Sequence, residues 1–147
     1  MRPTRTLIVI ANGAKARFFT HERPQRRLAA LTEFAIDVPP GRDIMADRPG
    51  RSFSSVGPGR SSMEPRSDPR DLIEKDFARR VVDRMAASLA ETGADRLVVA
   101  AAPRTLAEMR KGLTAQIEAK LAVSLDKDLT NTPEAELIKH LGDALGV

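Results

Sequence analysis

The residues best suited to bind a ligand are the arginines of segment 39–70, which reads PPGRDIMADRPGRSFSSVGPGRSSMEPRSDPR. A guanidinium group is planar and holds phosphate oxygens through paired N–H···O bonds, so these side chains are candidate phosphate ligands. The candidates are Arg42, Arg48, Arg51, Arg60, Arg66 and Arg70. The segment also contains the carboxylates Asp43, Asp47, Glu64 and Asp68. Two interpretations therefore stay open: an arm that lies on RNA phosphates, or a solvated loop whose arginines pair with its own acids.

The middle of this segment predicts an exposed loop tip rather than a nucleotide site. The tip comprises Gly57, Pro58, Gly59 and Ser61. A P-loop requires Gly-x-x-x-x-Gly-Lys-Ser/Thr directly between a strand and a helix. Here Ser54 stands where the first Gly belongs, and Arg60 stands where the Lys belongs. Phe53 is the only aromatic residue of the segment, so nucleic-acid binding would depend on backbone phosphates rather than on base stacking.

The rest of the chain offers little support for catalytic or metal chemistry. The absence of cysteine excludes disulfides and thiolate catalysis, and two histidines are too few for a multi-histidine metal site. We predict that both histidines, His21 and His140, lie at the surface. Residues 126–128 (DKD) with Asn131 are interpreted as a turn, because the Gly and terminal Glu of a calcium loop are missing. The sequence therefore assigns no catalytic residue, no metal and no cofactor, and it leans against an enzyme.

Composition and charge describe an ordinary soluble chain with a basic first half. The 147 residues are 41% hydrophobic and 30% charged, and no stretch approaches the apolar length of a membrane span. Basic residues outnumber acidic ones by seven to three in residues 1–37, whereas residues 71–147 hold eleven basic and thirteen acidic side chains. This asymmetry favours a polyanionic partner, with solubility alone as the alternative. We predict a cytoplasmic protein without a signal peptide.

Three short strands are predicted ahead of the arginine-rich segment. Residues 7–11 form a β-branched apolar run, and residues 16–20 and 28–36 follow as two more strands of an antiparallel meander. Asn12 and Gly13 predict a tight hairpin turn with positive φ angles. The segment 39–70 itself is predicted to be a long flexible loop, because it is rich in Gly, Pro and Ser.

Helices dominate the remainder of the chain. Asp68 and Pro69 predict a helix start, apolar residues recur every four positions from Ile73 to Leu89, and Gly93 predicts the end. A buried strand at 96–102, helices at 104–111 and 114–121, an edge strand at 122–125 and a last helix after Pro133 follow. We predict one α/β domain, residues 1–147, with a mixed β-sheet and helices on both faces.

Four strings together resemble a known family. They are residues 8–19 (IVIANGAKARFF), 47–53 (DRPGRSF), 63–69 (MEPRSDP) and 125–130 (LDKDLT). The chain resembles the bacterial host attachment protein family ("protein required for attachment to host cells") from about residue 7 to residue 141. That family is similar to the middle domain of archaeal and eukaryotic peptide-release factors. The resemblance implies a ribonuclease-H-like topology with a long loop at 39–70.

The resemblance also bears on activity. In release factors the tip of this loop carries Gly-Gly-Gln, which positions water for peptidyl-tRNA hydrolysis. In this chain the tip reads Gly57-Pro58-Gly59-Arg60, and the only glutamines, Gln25 and Gln116, lie outside the loop. We therefore expect no peptidyl-tRNA hydrolysis.

Three functional hypotheses follow. The first is a ribosome- or RNA-associated factor that binds RNA phosphate through its arginines. The second is a protein-interaction module, involved in attachment to host cells or surfaces, whose loop folds onto an acidic protein. The third, ranked last, is a small hydrolase that uses Ser61 and Arg60. The oligomeric state is not predicted.

Overall fold

The three predicted strands at the start of the chain form an antiparallel meander. A computed structural model describes residues 3–37 and 69–147. The strands are β1 (Arg5–Ala11), β2 (Lys15–Glu22) and β3 (Ala29–Ala35). Ala11 pairs with Ala16 beside the β1–β2 turn, and Lys15 pairs with Ala35 of β3. The meander prediction is therefore confirmed.

Two further strands extend the sheet on the other side of β1. They are β4 (Arg96–Ala101), parallel to β1, and β5 (Leu121–Leu125), parallel to β4. The strand order is β3-β2-β1-β4-β5, so β5 is an edge strand as predicted. The described sheet is thus mixed, with an antiparallel half and a parallel half.

Four helices of the described residues cover both faces of the sheet. They are α1 (Pro69–Thr92), α2 (Pro103–Lys111), α3 (Ala115–Lys120) and α4 (Glu134–Leu145). Successive strand residues point to opposite faces, so Leu7 packs in the core under α1 and α2, whereas Ile8 packs in the core under α4. The predicted α/β class, with a mixed sheet and helices on both faces, is confirmed.

The longest helix, α1, follows the predicted four-residue spacing. Phe77, Val81, Met85 and Leu89 are all buried against the sheet. Gly93 ends the helix with a φ of +66°, and its N–H donates to Leu89 O at 3.1 Å, as predicted for a left-handed glycine. The predicted N-cap, Asp68, lies outside the described residues. Within the described ranges, no helix is long and apolar enough to span a membrane.

The turn between β1 and β2 differs from the prediction. Among the described residues only Gly93 and Gly146 have positive φ, so the positive φ predicted at Asn12 and Gly13 is wrong. The side chain of Asn12 closes the turn instead, since its Oδ1 accepts the N–H groups of Ala14 at 2.9 Å and Lys15 at 2.8 Å. An Asx-type turn of this kind needs no left-handed residue.

The surface prediction for His21 is also wrong. Strand β2 continues to Glu22, two residues beyond the predicted end, so His21 is a strand residue that pairs with Thr6 of β1. It is only 2% exposed, and its Nε2 lies 2.6 Å from Gln25 O. His140, by contrast, is exposed on α4 as predicted.

Candidate functional site

The carboxyl ends of the three parallel strands define one edge of the sheet. We call it the carboxyl edge, where β1, β4 and β5 end at Ala11, Ala101 and Leu125. In open α/β sheets, ligands bind in the crevice outside these strand ends. The functional surface is therefore expected here.

Residues 38–68 lie outside the described residues, but the chain on either side of them contacts the β1–β2 turn at this edge. After β3, the N–H of Ile36 donates to Ala14 O at 2.8 Å, which fixes the chain against the β1–β2 turn. After the segment, α1 places the side chain of Glu74 against Gly13 of the same turn. The chain thus leaves for segment 38–68, and returns from it, beside a single hairpin turn.

Asn12 ties this turn to a distant part of the chain. Its Nδ2 donates to Asp128 Oδ2 at 3.1 Å and to Thr130 Oγ1 at 3.0 Å. Its Oδ1 already accepts two backbone N–H groups within the turn, so both donors and both acceptor positions of the amide are used. The amide is therefore held in one orientation, and it joins the turn to the segment after β5.

We call the hydrogen-bonded group of Asn12, Asp128 and Thr130 the brace, and Asp128 contributes its carboxylate. Its Oδ1 accepts the N–H of Thr130 at 3.0 Å and the hydroxyl of Thr130 at 2.6 Å. Burial raises the pKa of the Asp128 carboxyl, but the hydrogen bonds from Thr130 and Asn12 outweigh burial and hold the pKa below its ordinary value. Asp128 therefore closes an Asx-type turn over residues 128–130 with an ionised carboxylate, within the segment predicted to be a turn.

Arg17 supports the same segment from β2. Its NH1 donates to Thr132 O at 2.7 Å, and its guanidinium lies 5.0 Å from the centre of the Phe19 ring. A guanidinium over an aromatic face gains a cation–π attraction. Arg17 is therefore a structural residue of the brace rather than a cation offered to a ligand.

Other cations stand on the carboxyl edge itself. Lys15, which begins β2, makes no ion pair with any residue of the described ranges. Arg70 Nε lies 3.4 Å from Glu74 Oε2, and Arg104 NH2 lies 2.5 Å from Asp71 Oδ1. The side chains of Arg70 and Arg104 are 50% and 73% exposed, and ion pairs this exposed contribute about 0–1 kcal/mol.

Of the predicted phosphate ligands, one lies in the described part of the chain. Arg70 is in the first turn of α1, at the carboxyl edge. The other predicted ligands and tip residues lie outside the described residues: Arg42, Arg48, Arg51, Arg60, Arg66, Gly57, Pro58, Gly59 and Ser61. Within residues 3–37 and 69–147, no group of three His, Asp or Glu side chains could hold a metal ion.

Sequence reasoning missed the link between Asn12 and Asp128. The local signals were present, since an Asn opens the hairpin turn and Asp128-Leu129-Thr130 has the spacing of an Asx turn. Each signal predicts a local turn only. The contact between them joins residues 116 positions apart, and no local pattern predicts it.

Comparison with protein families finds one match over most of the chain. The model of a family described as "Protein required for attachment to host cells" matches residues 7–141. No curated protein matches the sequence significantly.

Solved structures share the fold at low sequence identity. An archaeal translation termination factor, aRF1, has a TM-score of 0.54 at 17% identity, and the similarity covers 97% of this chain and 39% of aRF1. A structure described as an archaeal protein has a TM-score of 0.49 at 17% identity, covering 97% of this chain and 38% of that one. The PPX-GPPA enzyme of Aquifex aeolicus has a TM-score of 0.43 at 7% identity, covering 83% of this chain and 36% of that enzyme. The predicted release-factor-like fold is confirmed, and this chain spans well under half the length of aRF1.

Proposed function

This chain belongs to the family of proteins required for attachment to host cells, and from that premise we propose that it is a cytoplasmic ribosome- or RNA-associated module. It binds RNA phosphate through the arginines of segment 39–70 and does not hydrolyse peptidyl-tRNA. The proposed ligands are Arg42, Arg48, Arg51, Arg60, Arg66 and Arg70.

One observation carries this proposal: both flanks of segment 38–68 are fixed on the β1–β2 turn. Ile36 is hydrogen-bonded to Ala14, and Glu74 lies against Gly13. A hydrogen bond from Asn12 also holds this β1–β2 turn to Asp128. The described flanks of the basic segment therefore meet at one sheet edge, beside Lys15 and Arg70, and this supports a single binding surface at that edge.

The cations of the carboxyl edge extend the same surface. Lys15 adds a positive charge, and the exposed guanidinium groups of Arg70 and Arg104 pair with the half-buried carboxylates of Glu74 and Asp71. Exposed ion pairs are weak, whereas a guanidinium–phosphate contact is charge-assisted and releases counterions from the nucleic acid. Exchange of a carboxylate partner for an RNA phosphate is therefore favourable at low salt.

The absence of hydrolysis in this proposal rests on the loop tip. Release factors carry a Gln at the tip, and this chain has Gly57-Pro58-Gly59-Arg60 there. Arg60 is a cation that cannot act as a base, because guanidinium stays protonated. The shared fold with an archaeal translation termination factor supports a ribosomal setting, and the proposal retains binding without catalysis.

Co-sedimentation with purified ribosomes tests the proposal. The test variant replaces Arg48, Arg51, Arg60 and Arg66 by Ala. The control replaces Arg26, Arg79, Lys111 and Lys139 by Ala, which removes four positive charges from other surfaces. We expect the wild type and the control to sediment with ribosomes at low salt and the test variant to stay in the supernatant. Equal sedimentation of all three proteins, or none, would refute the proposal.

A second candidate function is a protein-interaction module for attachment, and the description of the family favours it. In this case the arginines bind an acidic protein instead of RNA. A pull-down from cell extract separates the two, because nuclease treatment abolishes capture of an RNA-borne partner and leaves capture of a protein partner unchanged.

A further inference from the structure

A cavity of about 350 Å³ opens at the edge of the sheet opposite to the carboxyl edge. Thr20, Ala29 and Leu31 of β2 and β3 line it, and Thr92 at the end of α1 closes it. The volume falls in the range of about 300–1,000 Å³ that is usual for small-molecule sites. Among the described residues, none that lines the cavity belongs to the carboxyl edge.

Three charged side chains of the described residues line this cavity, and two of them form an ion pair. Arg5 donates from Nε to Glu22 Oε2 at 2.9 Å, and its NH1 donates to Thr92 O at 2.7 Å. The Glu22 carboxylate is therefore neutralised by Arg5, and two hydrogen bonds hold the Arg5 side chain in the cavity lining.

The third charge is Arg27, in the turn between β2 and β3. It is exposed, lines the cavity and makes no hydrogen bond or ion pair within the described parts of the chain. The cavity therefore carries a net positive charge, and that charge lies on a side chain free to bind an anion.

The rest of the lining is neutral, and much of it is apolar. Leu31 is 37% exposed, one of two large hydrophobic side chains that the described residues leave exposed, and Leu28 and Ala29 lie beside it. Gln25 and Thr20 add neutral hydrogen-bonding groups. Burying an apolar body against these leucines yields about 25 cal/mol per Å².

We propose that this cavity binds a small organic anion, in which an apolar body carries one carboxylate, sulfonate or phosphate group. Arg27 holds the anionic group, and Leu28 and Leu31 contact the apolar body. The contact between the Arg27 guanidinium and the anionic group is a charge-assisted hydrogen bond, which is stronger than one between neutral groups. A free inorganic anion lacks the apolar body and gains nothing from the leucines. The inference goes beyond the proposed RNA binding and does not depend on it.

Titration with 8-anilinonaphthalene-1-sulfonate tests this assignment, because the probe is an aromatic sulfonate whose fluorescence rises in an apolar site. The test variant is Arg27→Glu, and the matched control is Arg26→Glu, an exposed neighbour outside the cavity lining. We expect saturable binding by the wild type, at least tenfold weaker binding by Arg27→Glu, and less than a twofold change in Arg26→Glu.

Competition then tests the chemical class. Decanoate should displace the probe, and decyltrimethylammonium and inorganic phosphate should not do so at the same concentration. Amide shifts at Thr20, Leu31 and Thr92 on decanoate addition should locate binding in the cavity. The proposal is overturned by equal loss of binding in the two arginine variants, by displacement with the cationic or inorganic competitor, or by the absence of saturable binding.

Discussion

The side chain of Glu74 lies so close to Gly13 that a Cβ on Gly13 would stand 2.8 Å from Glu74 Cδ. Glu74 belongs to the second turn of α1, and Gly13 belongs to the β1–β2 turn. The contact thus joins α1, which follows the arginine-rich segment, to the β1–β2 turn. Ile36, which precedes that segment, is hydrogen-bonded to the same turn. Glycine is favoured at position 13 by this close approach and not by its backbone conformation, since its φ is not positive.

Gly13→Ala should therefore destabilise the protein through Glu74. The new methyl group forces the Glu74 side chain to shift, and because this side chain is flexible we expect a cost of about 1 kcal/mol, at the low end for overpacking. In a Glu74→Ala background the same substitution should cost markedly less. Urea unfolding of the four proteins measures the coupling, and an equal cost in both backgrounds would show that Glu74 is not the obstacle.

Asn12→Asp should be more harmful than Asn12→Ala. The Asn12 amide donates to Asp128, so an Asp at position 12 would face another carboxylate across about the same distance, and like charges at this range repel. We expect Asn12→Ala to cost about 2–3 kcal/mol through lost hydrogen bonds, and Asn12→Asp to cost more at neutral pH. Adding Asp128→Asn should relieve the excess in the Asp variant. Denaturant unfolding at pH 7 checks this, and an unrelieved double variant would contradict it.

Asp128 should make the protein less stable in acid. Its folded-state pKa lies below the ordinary value of about 3.9, so the unfolded chain binds the proton more readily. The stabilisation is present above that value and is lost as the pH falls through the folded pKa. We expect the stability difference between the wild type and Asp128→Asn to shrink from pH 5 to pH 2.5. A difference that stays constant over this range would show that the Asp128 carboxylate contributes nothing through its ionisation.

The core beneath α4 should depend strongly on Leu141. This side chain is fully buried with Ile8 and Ile10, so Leu141→Ala should cost about 2–5 kcal/mol. Leu72→Ala is the control, because Leu72 is 53% exposed on α1 and its truncation should cost less than about 0.5 kcal/mol. Thermal unfolding of both variants measures the contrast, and similar midpoints would contradict the assigned packing.

Local patterns in the sequence predicted most of the fold. The alternation of Leu7 and Ile8 between two cores, the proline at the start of α1 and the left-handed Gly93 each follow from a few neighbouring residues. The parallel pairing of Thr6 with Arg96 does not, because it joins distant strands and depends on the helices that cover them. The family resemblance supplied that topology.

The site was less predictable than the fold. The composition of segment 39–70 identifies Arg70 as a candidate ligand. Its ion pair with Glu74, four residues later on α1, is not predicted by the charge count, because a count does not show which charges are paired. Asn12 was interpreted as a turn former, which is correct, but its two side-chain donors reach a segment far along the chain. The polar residues around His21 predict a turn, so the sequence gives no sign that β2 continues to Glu22 and buries His21.

The salt dependence of RNA binding tests the central claim most directly. The dissociation constant for a structured ribosomal RNA fragment is measured from low to physiological salt for the wild type and for the variant with Arg48, Arg51, Arg60 and Arg66 replaced by Ala. Each lost phosphate contact lowers the slope of log Kd against log salt by about 0.7–0.9, so the account predicts a slope lower by about three in the variant. An unchanged slope would show that these arginines do not lie on RNA phosphates.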